Sequence, residues 1–287
     1  MQASTSGSDE EWFENESFWE DFYPVLFPDE LFEQAQEEME KIFALIDHPV
    51  HSVLDLCCGP GRFAGLLARE GYQVTGVDRT PYLLEIAKRE YADTENVEWV
   101  LSDMREFVRN ESYDLVLNLY TSFGYFKDPA EDLLVLKNIA KSLRPGGSFV
   151  IEVMGKEVMA KDFEPITASK TRDGLFVQAH EILENWNRIR TEWTLIKEGN
   201  IKTFTFEHSL YAASDLIRLF ELAGFSDIRV FGDFDGSPYD HSALLLVITG
   251  RKIQSRPYPD SAGSAVKRTP HSPILNPSFT TFISDTQ

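Results

Sequence analysis

Two cysteines, Cys57 and Cys58, are all that this 287-residue chain carries, and they are neighbours. Adjacent residues rarely bridge, and no second pair is present, so neither a disulfide framework nor a cysteine zinc site is readable. That usage suits a reducing, cytoplasmic compartment. The six histidines show no paired ligand spacing, so no metal site is expected. Long hydrophobic runs are missing as well: the strongest, Ala243 to Ile248, is far too short to span a bilayer, and no membrane partner is expected. The stretch from Met1 to Glu11 is polar and acidic, unlike a targeting peptide. Basic residues are scarce, 27 Lys and Arg against 47 Asp and Glu, for a net charge of −20. With no basic run to offset that sign, a phosphate backbone is repelled, and nucleic acid is not expected as a partner.

What is present points to a globular enzyme-sized chain. Apolar residues make up 43% and aromatics 13%, enough for a sizeable core. Residues 1–47 hold fourteen acidic side chains against Lys41 alone, so most of the net charge lies there. Residues 1–10 read as disordered. From 11 to 47 aromatics and carboxylates interleave, and Leu31, Phe32, Ala35, Met39, Ile42, Phe43 and Ile46 then recur at helical spacing. This is the pattern of an acidic helical cap with one apolar stripe.

Strand and helix signals then alternate. Strands are predicted near 51–56, 73–77, 97–101, 113–119 and 147–153, with helices near 62–70, 81–92 and 130–143. Alternation of this kind builds a parallel sheet covered by helices. The segment 174–211 gives three β-like runs, read as an antiparallel insert. A helix at 214–223 follows, then strands at 226–231 and 242–249. The stretch 251–287, rich in Ser and Pro, reads as a flexible tail.

The informative motif runs Val53-Leu54-Asp55-Leu56-Cys57-Cys58-Gly59-Pro60-Gly61-Arg62, a strand entering a glycine turn that opens a helix. Gly59-x-Gly61-x-x-Ala64, with Asp78 nineteen residues beyond Gly59, also satisfies the dinucleotide fingerprint, so a nicotinamide-dependent oxidoreductase stays open at this point. Asp55 argues the other way: an acid at the end of the first strand repels a pyrophosphate and attracts an ammonium. Ser102-Asp103-Met104, after the third strand, supplies an acceptor for an adenine amino group and an apolar cover for the ring.

Together with Gly76-Val77-Asp78, Tyr113-Asp114-Leu115-Val116 and Leu143-Arg144-Pro145-Gly146-Gly147, these stretches resemble the class I S-adenosylmethionine (SAM) dependent methyltransferases over residues 48–250. The resemblance implies a Rossmann-like α/β fold, a doubly wound seven-stranded sheet whose last strand is antiparallel. It also implies SAM as cofactor. Gly59 and Gly61 are expected against it, Asp78 on the ribose hydroxyls and Asp103 with Met104 at the adenine. Asp55, Cys57, Arg62, Arg79 and Asn118 complete the expected cofactor-binding set. The likeness is to small-molecule methyltransferases with an antiparallel insert before the penultimate helix, acting on nitrogen or oxygen. A SAM-binding scaffold without activity is the further alternative.

The segment Asn118-Leu119-Tyr120-Thr121 lacks the two prolines that follow the Asn or Asp in methylases of adenine or glutamine, which points away from those acceptors. Tyr120, Tyr125, His208 and Tyr239 are the candidate acceptor-binding residues. The pocket is expected between the N-terminal aromatics, the 120–126 loop, the 174–211 insert and the 232–241 loop, because open α/β sheets bind ligands at the strands' C-terminal edge. No residue announces itself as a general base, His208 and His241 being the candidates. The sequence sets neither the acceptor's identity nor an oligomeric state.

Overall fold

The computed structural model describes residues 12–253, so the expectations for residues 1–10 and for most of the tail lie outside the described residues. A seven-stranded sheet forms the core, in the order β3-β2-β1-β4-β5-β11-β10. Its strands are β1 (Ser52–Leu56), β2 (Gln73–Asp78), β3 (Val97–Leu101), β4 (Tyr113–Asn118), β5 (Leu143–Val153), β10 (Phe225–Phe231) and β11 (Leu246–Lys252). The pairs β1·β2, β2·β3, β1·β4 and β4·β5 are parallel, while β11 runs antiparallel to both β5 and β10. Strands β1, β4 and β5 are near-continuous apolar runs because helices cover both faces of the sheet.

Helices α3 (Arg62–Arg69), α4 (Pro81–Glu90), α5 (Pro129–Ser142) and α7 (Ala213–Ala223) supply those covers. Pro81 and Pro129 open two of them at the position where a missing N–H costs nothing. Asp128 caps α5 by accepting from the Ala130 N–H at 2.9 Å. On one face Phe149 stacks on Phe220 at 5.2 Å; on the other, α2 (Asp29–Ala44) lays Ala35, Met39 and Ile42 against Phe63, Ala64 and Leu67 of α3. Strand order reverses between β1 and β4, and the C-terminal ends of these two strands open the crevice that a doubly wound sheet uses for ligands.

The insert is a four-stranded antiparallel sheet, β6 (Ile166–Thr171), β7 (Gly174–Leu183), β8 (Arg188–Lys197) and β9 (Asn200–Ser209). Three strands were expected, and β6 is an addition: it is a mostly exposed edge strand whose ITASKT sequence has no apolar alternation to betray it. The β8–β9 hairpin turns on Glu198 (φ 51°) and Gly199 (φ 82°), two left-handed residues that match the strand twist. Helix α1 (Glu16–Leu26) ties this sheet to the core, its Phe18 and Phe22 buried against Phe176 and Leu195.

Two boundaries differ from expectation. A one-and-a-half-turn helix, α6 (Lys156–Lys161), follows β5. The last strand starts at Leu246 and runs through Lys252, because the Leu244 and Leu245 N–H groups both turn back to the Gly232 carbonyl. No helix among the described residues is long and apolar enough to cross a membrane.

Candidate cofactor and acceptor site

Between β1 and α3 the chain turns through three left-handed residues, Cys57 (φ 65°), Gly59 (φ 54°) and Gly61 (φ 82°). The two glycines do different work. A Cβ on Gly59 would rest in ordinary contact with the Phe27 ring at 3.5 Å, and both residues line a cavity of about 300 Å³. A Cβ on Gly61 would lie 2.4 Å from Trp99, so Gly61 lets the turn pack on β3 and does not line the cavity. Of the two glycines expected against the cofactor, only Gly59 is on the lining.

The strand-end acids open on this cavity from one edge of the sheet. Asp55 is buried, and its carboxylate accepts the Ala64 N–H of α3 at 3.1 Å. Burial pushes it up to about 7, with Asp78 adding to the shift while the Ala64 N–H and Arg62 oppose it. Asp78 is also buried and raised by desolvation. It accepts the Gly59 N–H and the Thr80 N–H, each at 2.8 Å. The Thr80 hydroxyl and the Arg79 N–H also favour its charged form.

Asp103 stands differently. It accepts four bonds: from Arg105 N (2.7 Å), Nε (3.1 Å) and Nη2 (2.7 Å), and from Arg79 Nη1 (2.9 Å). Burial would raise its carboxyl, but the arginines outweigh that and hold it below the usual range. The expected contact with an adenine amino group is therefore qualified, since such a donor must compete with Arg79. That arginine also pairs with Glu14 and lies over the Phe13 ring at 4.8 Å, bringing the N-terminal segment to the same spot. Met104 and Cys57 line the cavity with their sulfurs 3.5 Å apart.

Arg62 touches the cavity but is committed to structure. Its Nη1 donates to the Leu31 carbonyl (2.9 Å), Glu38 (3.3 Å) and the Tyr120 hydroxyl (3.1 Å), and the guanidinium lies 3.9 Å from the Tyr120 ring centroid. Asn118, wholly buried, donates from Nδ2 to the Leu56 carbonyl at 3.0 Å, clamping β4 to β1 behind the crevice and off its lining.

Of the candidate acceptor residues, Tyr120 and Tyr125 line the cavity. The Tyr120 hydroxyl donates to Glu38 at 2.6 Å, and burial with that carboxylate pushes it up to about 12. Tyr125 packs against Trp12 at 5.1 Å and is raised by burial. His208 sits behind Tyr125, ring to ring at 5.2 Å, off the lining; burial holds it neutral by lowering it to about 4. Tyr239 lies apart from them: the 232–241 loop folds back on itself through Gly232 N–H to the Ser237 carbonyl (2.8 Å), and the Tyr239 hydroxyl donates to Glu157 of α6 at 3.0 Å. It does not reach the cavity. His241 is fully solvent-facing, with 94% of its side chain exposed, so it holds no site position.

The far wall is aromatic, built by Trp12, Phe18 and Trp19 from the N-terminal segment and by Trp193 from β8. Glu152 was not foreseen. It is buried on β5 and accepts the Tyr120 N–H at 2.5 Å, holding Tyr120 (φ 58°) and Thr121 (φ 52°) in left-handed conformations on the cavity wall. Burial pushes it up to about 7. A lone acid inside Phe149-Val150-Ile151-Glu152-Val153 was the available signal.

Residues 53–147 match the family model described as "Methyltransferase domain". That stretch carries a methyltransferase domain, and the chain as a whole is similar to SAM-dependent methyltransferases. Rat (Rattus norvegicus) glycine N-methyltransferase is 33% identical over 123 residues, 38% of this chain but only 42% of that protein. The cypemycin N-terminal methyltransferase of a Streptomyces species is 26% identical over 206 residues, 70% of this chain and 83% of that protein. Among solved structures, the CcbJ methyltransferase of Streptomyces caelestis superposes with a TM-score of 0.68 at 20% identity, covering 77% of this chain and 90% of that one. The antiparallel β11 also departs from the all-parallel 3-2-1-4-5-6 order of a dinucleotide-binding Rossmann domain, which counts against the oxidoreductase alternative.

The crevice residues fit SAM by their chemistry. Asp78 brings a buried carboxylate of the kind a diol donates to, and Gly59 lines the cavity with backbone alone. Asp55 is a buried acid short of a cation, and Met104 offers a soft apolar face.

Proposed function

We propose that the protein transfers the methyl group of SAM to a nitrogen of a small-molecule acceptor. One observation carries this reading: Asp55, Asp78 and Asp103 share a single cavity with an aromatic wall contributed by the N-terminal segment and the insert. The acids suit the cofactor's ammonium, ribose and adenine in turn, and the aromatic wall faces the remaining volume. When bound, SAM supplies an electrophilic methyl group for in-line displacement.

The protein's own share is alignment and exclusion of water. Arg62, Glu38 and Glu152 fix the ring and the backbone of Tyr120, and α1 with its aromatic neighbours roofs the cavity. Nitrogen is favoured over oxygen because a neutral amine needs no base, whereas a hydroxyl does. The nearest histidine, His208, is held at about 4 by burial and is too weak a base for that task near neutrality. Glycine N-methyltransferase is by its name a nitrogen methylase, in keeping with this choice.

Isothermal calorimetry with SAM and with NAD, followed by incubation of the protein and methyl-labelled SAM with a metabolite extract, tests the reading. SAM alone should bind, and the labelled product should carry the methyl on nitrogen. Binding of SAM with no labelled product would favour the scaffold alternative instead.

A further inference from the structure

Beyond the three strand-end acids the cavity wall carries several hydrogen-bonding side chains, and nearly all are occupied. The Tyr120 hydroxyl donates to Glu38 (2.6 Å) and accepts from Arg62 (3.1 Å). Thr121 Oγ1 accepts the Met154 N–H (3.0 Å), Ser122 Oγ donates to the Leu119 carbonyl (2.8 Å), and Trp19 Nε1 donates to the Phe13 carbonyl (3.0 Å). The Trp12 and Trp193 nitrogens are sealed beneath the surface. Tyr125 differs. It lines the same cavity, its hydroxyl has no hydrogen-bond partner among the described residues, and its oxygen, not being enclosed, keeps surface for a ligand.

The chain fixes that hydroxyl from both sides. The Gly124 carbonyl accepts the Ser209 N–H of β9 at 2.7 Å, and the Phe126 carbonyl accepts from Arg188 Nη1 of β8 at 3.2 Å, so both neighbours of Tyr125 are tied to the insert. The ring is held by Trp12 (5.1 Å), His208 (5.2 Å) and Phe206 (6.2 Å). Glu152 and Cys57 lie within electrostatic reach of the hydroxyl, which places it at the inner end of the cavity, toward the glycine turn. Burial raises it, with those two groups adding, so the phenol stays neutral.

We infer that the Tyr125 hydroxyl positions the acceptor nitrogen by accepting its N–H, and that the acceptor is a primary or secondary amine on an apolar body. The inference rests on the nitrogen-methyltransferase reading and deepens it. A neutral phenol is no base for this task, but its oxygen accepts a hydrogen bond, and an N–H given to it leaves the nitrogen lone pair free to face the methyl group. That lone pair forms the N–CH3 bond, the C–S electron pair withdraws to sulfur, and the ammonium formed loses its proton to water on release. An amine without an N–H has nothing to give Tyr125. One open hydroxyl serves one polar group, and a polyol would leave most of its hydroxyls unpaired against Trp12, Phe18 and Trp19.

The test uses the full-length protein, methyl-labelled SAM and three amines: N-methylbenzylamine, which has one N–H, N,N-dimethylbenzylamine, which has none, and glucosamine. The native protein should methylate the secondary amine with kcat/KM about tenfold or more above the tertiary one, the discrimination expected of a site that hydrogen-bonds one substrate and not the other. Tyr125→Phe keeps the ring and removes the oxygen. It should bring that ratio toward one while leaving the SAM dissociation constant within about twofold; a ratio within one variant does not depend on the fraction of folded protein. A ratio near one in the native protein, a ratio unchanged in Tyr125→Phe, or a preference for glucosamine would overturn the inference. So would SAM binding with neither benzylic amine methylated; a nitrogen-methylated product still formed from the metabolite extract would then leave the broader reading standing. Failure to bind SAM would remove both.

Discussion

Binding of SAM should release a proton from Asp55, and the size of that release can be worked from the structure. Asp55 is raised to about 7 in the free protein by burial, with only the Ala64 N–H and the neighbouring Arg62 to favour its charged form. An ammonium brought beside it favours the carboxylate and returns the group toward its ordinary range near 4. Free Asp55 is then about 0.9 protonated at pH 6 and about half protonated at pH 7, and binding discharges that fraction. Integrated over the interval, the SAM dissociation constant should tighten about fivefold from pH 6 to pH 7, roughly 1 kcal/mol. Calorimetry in two buffers of different ionisation enthalpy reads the released protons directly. Asp55→Asn keeps an oxygen for the Ala64 N–H but cannot titrate, so it should bind more weakly and lose the buffer dependence. Glu152, raised to the same range but off the cavity lining, is retained in that variant and serves as the internal control. An enthalpy independent of buffer in the native protein, or an undiminished proton release in Asp55→Asn, would refute the reasoning.

Asp78→Ala should weaken SAM binding by about 1.5–3 kcal/mol in the same calorimeter, the usual range for a lost charge-assisted bond; a change under twofold would remove Asp78 from the ribose. Gly61→Ala should lower the melting temperature more than Gly59→Ala, because the first drives a Cβ to 2.4 Å from Trp99 while the second meets Phe27 at 3.5 Å and bears only backbone strain. Stability without ligand should fall as pH rises from about 5 to 7.5. Asp55 and Glu152 (each about 7) and Asp132 (about 6) are all raised by burial above their unfolded values, so the folded state binds their protons more tightly and that advantage is lost through this window. A melting temperature that climbs across the same range by scanning fluorimetry would contradict the burial argument.

How much of this was legible in the sequence depends on how local the cause is. The alternation from β1 to β5 is written in contiguous apolar runs and helix punctuation, and the crevice follows because strand-end acids fall on one edge by topology alone. Asp55, Asp78 and Asp103 come to line one cavity that way. The partners that decide what each acid does were not legible, since Arg105 sits two residues from Asp103 yet Arg79 reaches it from just past β2, itself paired with Glu14 of the N-terminal segment. Tyr239 shows the limit of reasoning from topology: its loop leaves the sheet at an end the order of strands dictates, but a turn of a few residues and a bond to Glu157 on α6 carry its ring away from the cavity. β6 escaped because an exposed edge strand needs no apolar alternation to be held by its neighbour.

The buried carboxylates share a logic that joins fold to function. Asp55 at the end of β1 and Glu152 near the end of β5 each lie on interior strands where an apolar residue would stabilise more, since desolvating a carboxyl is unfavourable and only partly offset by backbone N–H groups. Neither is paired with a lysine or arginine at bonding distance among the described residues. Asp55 accepts instead a backbone N–H of the glycine-turn helix, and Glu152 one from the left-handed Tyr120, so both acids are spent on shaping the two rims of the same crevice. A site assembled this way is less stable empty than filled: a cationic ligand beside Asp55 supplies the charge the fold withholds. Ligand binding should therefore raise the melting temperature more at pH 7.5, where Asp55 is ionised and unpaired, than at pH 5.5, where it is largely neutral.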